Sequence, residues 1–271
     1  MKLRAACVQL NTRQDTAATV RTAGELVRRA AAEGARLIAL PETWAYKGGH
    51  AGIAASAEPL DGPSSSTLAE LAAGLGVYVL AGSIYEPSPV AGRVYNTSAL
   101  FGPGGELLAA YRKIHLFDVV AGTTVYRESD DVAAGSDVVT AEVDGVTVGL
   151  SICYDLRFPE LYRSQALRGA DVLLVPSAFT AYTGAAHWEV LLRARAVENG
   201  CFVVAPAQVG EHLPGRDCWG HSMIVDPWGV VLAELAEGVG TCVADLDIGR
   251  LAEVRVQIPP LANRRPDAYA L

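Results

Sequence analysis

The chain has 271 residues, 51% of them hydrophobic, enough to bury a sizeable core in one large domain or two small ones. No apolar run approaches the roughly 20 residues of a bilayer span, and the formal charge of -8 opposes binding to nucleic acid or anionic membrane. The five cysteines are widely spaced and odd in number, and the start lacks a leader-like apolar stretch; both predict a reducing, cytoplasmic home.

In chain order, β-branched apolar runs predict strands over residues 3–10, 36–40, 77–81, 146–152, 171–175, 201–205, 222–225 and 240–245. Helical spacing predicts a helix over 15–33, stopped by Gly34, and a second over 68–73 capped by the hydroxyls of "GPSSST". Further helices are predicted over 159–167, 185–199 and 250–257. The alternation reads as an α/β fold, and the absence of a low-complexity linker favours one domain over 1–271.

Three strand ends run into polar turns: "RLIALPET", "VGLSICYD" and "DVLLVPSA". Ligands gather at the carboxyl ends of strands in open α/β sheets, so the three ends are expected to face one pocket. Glu42 leaves the first of them. A carboxylate at a strand's end is ordinarily just solvated, whereas one half-buried beside apolar walls has a raised pKa and can act as a base; local sequence leaves both readings open.

Cys7, Cys201 and Cys242 sit inside apolar runs and read as core. Cys153 ends such a run and precedes Tyr154, Asp155 and Arg157 before a helix opens at Pro159. A strand-to-helix turn exposes a side chain beside backbone N–H groups that favour a thiolate, whereas free cysteines are commonly buried. On local sequence alone, nucleophile and core residue stand level. Lys113, in "YRKIHLFD", is flanked by Tyr111, Ile114, Leu116 and Phe117, which suggests a cation held inside, where it can stabilise an oxyanion.

His115 and the four other histidines are scattered, and none stands out as a general base. There is no CxxC, no HExxH, no GxGxxG and no P-loop, so neither a metal nor a nucleotide or other cofactor is expected.

"LPETW", "YRKIHLFD" and "GLSICYDLRFPELYR" together resemble, in the same chain order, the three signatures of the nitrilase (carbon–nitrogen hydrolase) superfamily, and the similarity runs from about Leu3 to Tyr269. The resemblance implies a Glu–Lys–Cys triad: Glu42 as general base, Lys113 as oxyanion stabiliser, Cys153 as nucleophile. "TTVYRESDDV" resembles the segment carrying a second glutamate, which maps to Glu128 and implies a role in positioning Lys113. It further implies a four-layer αββα sandwich that dimerises, part of helix 185–199 supporting the dimer, and an extended tail over 258–271.

Cys153–Tyr154–Asp155 is the form seen in Nit-type amidases, in place of the Cys-Trp-Glu of nitrile-cleaving members. The implied reaction turns a linear carboxamide into an acid and ammonia through a thioester, on a short amide with a 2-oxo acid end. Tyr154, Arg157, Phe179 and Thr180 are the candidate substrate contacts. Arg157, Arg193 and Arg195 are candidates for a substrate carboxylate, although Arg157 can instead pair with Asp155 or Glu160, and Arg193 stands at ion-pair spacing from Glu189. Hydrolysis of N-carbamoyl compounds and a catalytically silent binding role are the competing readings.

Overall fold

The first strand, β1 (Lys2–Gln9), shows how the layers form. Leu3, Ala5 and Cys7 point to one face, Ala6 and Val8 to the other, and all five are buried, so this strand is covered on both sides. In the computed structural model, which describes residues 1–268, β1 is an inner strand of a seven-stranded sheet with β2 (Leu37–Ala39), β3 (Tyr78–Leu80), β4 (Ile84–Pro87), β5 (Val94–Phe101), β6 (Leu107–Arg112) and β17 (Gly240–Asp247). Its order is β17-β1-β2-β3-β5-β4, with β6 also on β5.

A second sheet of six strands comprises β9 (Thr140–Val143), β10 (Val146–Leu150), β11 (Val172–Leu174), β12 (Phe202–Ala205), β15 (Ser222–Val225) and β16 (Val231–Leu235), in the order β16-β15-β12-β11-β10-β9. The two sheets face each other across one core, where Leu3, Ala5 and Cys7 share a cluster with Val204 and Ile224 and the Cys7 thiol reaches the Met223 carbonyl. The outer face of the first sheet packs on α1 (Thr16–Ala32) and α3 (Pro63–Leu75) through Val27, Ala30, Leu68 and Ala72. The second sheet is covered by α4 (Pro159–Leu167) and α5 (Ala181–Asn199), through Tyr162, Trp188, Leu192 and Ala196. The layers are therefore α, β, β, α, as the family resemblance implied.

Two hairpins stand outside the sheets: β7 (Asp118–Ala121) with β8 (Thr124–Arg127), and β13 (Val209–Leu213) with β14 (Arg216–Trp219). One short helix, α2 (His50–Ile53), follows β2, and α6 (Ile248–Gln257) closes the sandwich. Residues 258–268 then run in turns, with Leu261 packed on the core. Residues 269–271, the end of the predicted tail, lie outside the described residues.

All eight predicted strands are present, but nine more were not predicted. Most are half exposed, as in β6, β13 and β16, and β13 and β14 carry no apolar run. Strand β5 is buried, and there the polar Asn96, Thr97 and Ser98 interrupt the pattern. The second predicted helix is longer than expected and its cap is different. Gly62 precedes it, Pro63 opens it, and the Glu58 carboxylate accepts the N–H groups of Ser64 (3.0 Å) and Ser65 (3.2 Å), so the hydroxyls of "GPSSST" do not cap. Helix α5 begins at Ala181 because Thr180 Oγ1 accepts the Thr183 N–H.

Candidate active site

Glu42 stands just past the carboxyl end of β2, and its main chain is clamped. Gln208 donates to the Glu42 carbonyl at 2.9 Å, and the next residue, Thr43, donates its N–H to Ser83 Oγ at 2.9 Å. Thr43 has φ 50, a left-handed conformation held by these contacts. Beneath it, Gly82 is required: at φ +37, a Cβ there would come within 1.9 Å of the Pro41 carbonyl oxygen.

Lys113 follows β6, with its N–H on the Asn96 carbonyl at 2.9 Å. Its ammonium reaches Glu42 Oε1 at 2.9 Å and Glu128 Oε2 at 2.8 Å. Asn96 donates to the same two carboxylates, at 3.0 Å and 3.2 Å. Glu128 is fixed from the other side by the Phe117 N–H at 2.6 Å.

Cys153 lies on a sharp turn between β10 and α4, at φ 49. Its N–H bonds the Pro176 carbonyl at 2.9 Å, and its thiol lies in the same cleft as the Glu42 carboxylate, close enough to feel its charge. The turn is organised by Asp155, which is fully buried. Asp155 accepts from Ile152 N–H (2.8 Å), Tyr111 Oη–H (2.7 Å), His115 N–H (3.1 Å) and the His115 ring (2.7 Å).

Lys113, Glu42 and Cys153 are 2%, 5% and 6% exposed, so their charges act on one another with little solvent screening. Burial alone would raise the Glu42 carboxyl, but the Lys113 and Lys47 charges, helped by the Cys153 thiol nearby, hold it below the ordinary carboxylate value. The raised pKa that a half-buried Glu42 would have is thus reversed, chiefly by the Lys113 charge. Burial would likewise strip Lys113 of its proton, but Glu128 and Glu42 keep it charged well above the usual lysine range. The Cys153 thiol is pushed well up by burial and by the Glu42 charge, which Lys113 and the Ala178 N–H only partly offset. The resting set is a carboxylate, an ammonium and a neutral thiol.

The four residues Glu42, Lys113, Glu128 and Cys153 line one cleft, joined by Tyr154, Phe179 and Thr180. All three strand ends of the sequence analysis meet there. Arg157 is not among the lining residues. Its guanidinium bonds the His187 ring at 3.1 Å and lies over the Tyr154 and Phe179 rings, so neither predicted partner, Asp155 or Glu160, holds it. Arg193 pairs with Glu189 at 3.0 Å, as its spacing predicted, and the buried Arg195 bonds the Leu156 carbonyl and Glu198. Cys7, Cys201 and Cys242 are buried in the core. His115 is taken up by Asp155 and stacks on Phe158.

Sequence reasoning missed Asn96, Gln208 and the organising role of Asp155. Asn96 had a signal in retrospect, a polar run inside a strand; Gln208 had none. Also in the cleft are His212, lowered to about 3 by burial and by Lys47 and Arg216, and Cys218, raised to about 11 chiefly by burial. Among the described residues no group of three or more His, Cys, Asp or Glu is placed to hold a metal ion, and no helix is long and apolar enough to cross a membrane.

Against known families, residues 4–256 match the model of the carbon-nitrogen hydrolase family. The chain belongs to the carbon–nitrogen hydrolase family. A deaminated glutathione amidase from Synechocystis is 45% identical over 267 residues, spanning 96% of this chain and 97% of the relative. The human omega-amidase NIT2 is 40% identical over 269 residues, spanning 99% and 97%. Among solved structures, the C. elegans NitFhit protein superimposes with a TM-score of 0.92 at 36% identity, over 99% of this chain and 66% of that one. A glutamate-to-glutamine mutant of a Nesterenkonia amidase, with the acetamide moiety of fluoroacetamide bound covalently to its active-site cysteine, gives 0.83 at 29% identity, over 98% and 95%. This carbon–nitrogen hydrolase is thus a Nit-type member, an enzyme that acts on amides.

Proposed function

We propose that this carbon–nitrogen hydrolase cleaves a linear amide through a thioester on Cys153. The observation that carries the reading is the meeting of three buried groups in one cleft: the Glu42 carboxylate accepts the Lys113 ammonium at 2.9 Å, and the Cys153 thiol shares the cleft with both. As Cys153 attacks the amide carbon, its proton passes to Glu42 and a sulfur–carbon bond forms. The negative charge moves from Glu42 to the carbonyl oxygen, still in the field of Lys113, with the Tyr154 N–H as a second donor. Glu42 then gives the proton to the departing nitrogen, and the C–N bond breaks. Water, deprotonated by Glu42, opens the thioester, and the acid leaves as the thiol regains its proton. Glu128 and Asn96 position Lys113 and Glu42, and no step calls for a cofactor.

The preferred substrate is deaminated glutathione or a similar 2-oxo acid amide, a reading supported by the Synechocystis relative; omega-amidase activity on 2-oxoglutaramate is the alternative. The leaving group differs between the two. Deaminated glutathione has no primary carboxamide, so an amine, cysteinylglycine, departs in place of the ammonia expected from the sequence. Both yield 2-oxoglutarate. The chain is read as a single domain over 1–271 working in the cytoplasm as a homodimer. In support of a dimer, the outer side of α5 and its surroundings expose Val190, Val197, Trp228 and Val230.

The test is a panel of deaminated glutathione, 2-oxoglutaramate, an N-carbamoyl amino acid and an aliphatic nitrile, each followed by its acid product. Release of 2-oxoglutarate from either of the first two supports the reading. Turnover confined to the carbamoyl compound or the nitrile, or none at all, overturns it.

A further inference from the structure

The arginines singled out in the sequence for a substrate carboxylate lie off the cleft or are held by other partners, yet the cleft has a cationic wall of its own. Lys47 and Arg216 both line it and both are half buried. The Lys47 ammonium makes no ion pair or hydrogen bond with any described residue, and Arg216 only covers the Tyr126 ring, 5.3 Å from its centroid. The carboxylates deeper in the cleft are engaged: Glu42 and Glu128 by Lys113, Asp131 by His50. Asp217 is exposed at the rim.

Both cations belong to elements built around Glu42. Lys47 is on the loop that Glu42 begins, and Arg216 is on the β13–β14 hairpin, whose base carries Gln208, the donor to the Glu42 carbonyl. The hydrogen bonds of Val209 N–H to the Leu10 carbonyl and of Thr12 N–H to Gln208 hold that base against the end of β1. The effect of both charges on His212 agrees with their lying on the same wall.

We propose that Lys47 and Arg216 bind a carboxylate on the leaving half of the substrate. This rests on the reading of Glu42 as the group that protonates the departing nitrogen. An amine leaving beside Glu42 carries its own substituents toward this wall, and two unpaired, partly desolvated cations there select an anionic one. The class of substrate is therefore an amide of an amino acid or short peptide with a free carboxylate.

Deaminated glutathione and 2-oxoglutaramate share the acyl half and differ in the leaving half, so the ratio of their kcat/KM values isolates the interaction. Lys47→Met also removes a charge near Glu42 and slows both substrates, which makes the ratio the readout. The ratio is expected to fall roughly tenfold in Lys47→Met, through KM of deaminated glutathione, to fall in the same direction in Arg216→Gln, and to recover in Lys47→Arg. A ratio unchanged within about twofold overturns the proposal. A ratio that rises also overturns it, by moving the recognised carboxylate to the acyl half. If the wild type turns over neither amide, the reading of function fails separately, and titration of cysteinylglycine into Cys153→Ala decides: weaker binding on adding Lys47→Met supports the proposal, and equal or absent binding overturns it.

Discussion

The Tyr111 hydroxyl donates to Asp155 Oδ2 at 2.7 Å, and this bond ties the strand that delivers Lys113 to the turn that delivers Cys153. Both partners are fully buried. Tyr111→Phe leaves Asp155 one donor short in a place water does not reach. The expected loss is about 1–3 kcal/mol in urea unfolding, together with a lower kcat as lysine and cysteine lose their mutual alignment. Unchanged stability with unchanged kcat would show that the bond is incidental to the site.

Glu42→Gln separates basicity from thiol acidity. The Glu42 charge is one of the causes that raise the Cys153 pKa, second to burial, while Lys113 opposes it. Replacing the carboxylate by a neutral amide is therefore expected to lower the thiol pKa and at the same time to remove nearly all amide turnover. Thiolate absorbance at 240 nm, titrated against a Cys153→Ala background, reads the first effect. A thiol pKa that stays put or rises would mean that the carboxylate is not the charge the thiol feels.

The pH profile follows from two opposite shifts. The Glu42 carboxyl is held below its ordinary value of 4.5, so the base stays ionised as pH falls through 5, and kcat/KM declines only below that value. Lys113 is held well above its ordinary 10.5, so it stays charged through the mildly alkaline range. Stability carries the same signs. The contribution of ionised Glu42 is present above its unfolded pKa and is lost as pH falls through the folded one, whereas that of Lys113 is lost only as pH rises through its raised value. An acid limb centred above pH 5 in kcat/KM would contradict the assignment.

Gly82 supports the site through its backbone. Gly82→Ala sets a Cβ against the Pro41 carbonyl oxygen at 1.9 Å, and neither backbone can yield without moving Glu42. The expected destabilisation exceeds about 2 kcal/mol, with an accompanying fall in kcat. A thermal melt and a turnover assay on the same sample check both.

The α/β class and the places of Glu42 and Cys153 were legible because β2 and β10 are covered on both faces and appear as apolar runs that end beside those residues. The four-layer sandwich and the membership of Lys113 and Glu128 rested instead on the resemblance of the motifs. The elements that hold those residues in place were less visible. Strand β5 was missed because Asn96, Thr97 and Ser98 put polar groups in a buried strand, and the two carboxylates that Asn96 bonds, Glu42 and Glu128, are 54 and 32 positions away. The direction of the Glu42 shift was hidden for a related reason: the burial that raises a carboxyl is apparent from its neighbours in the chain, but Lys113, 71 positions on, is not. Arg157 looked available for substrate because its partner, His187, comes from α5 rather than from its own turn.

The central claim is that the reaction passes through the sulfur of Cys153. Turnover of deaminated glutathione by Cys153→Ala, measured beside the wild type at equal enzyme concentration, tests it most directly. The account expects 2-oxoglutarate release to fall by on the order of 10³ or more while the thermal melt stays close to that of the wild type. A folded Cys153→Ala protein that kept a tenth or more of wild-type turnover would contradict it.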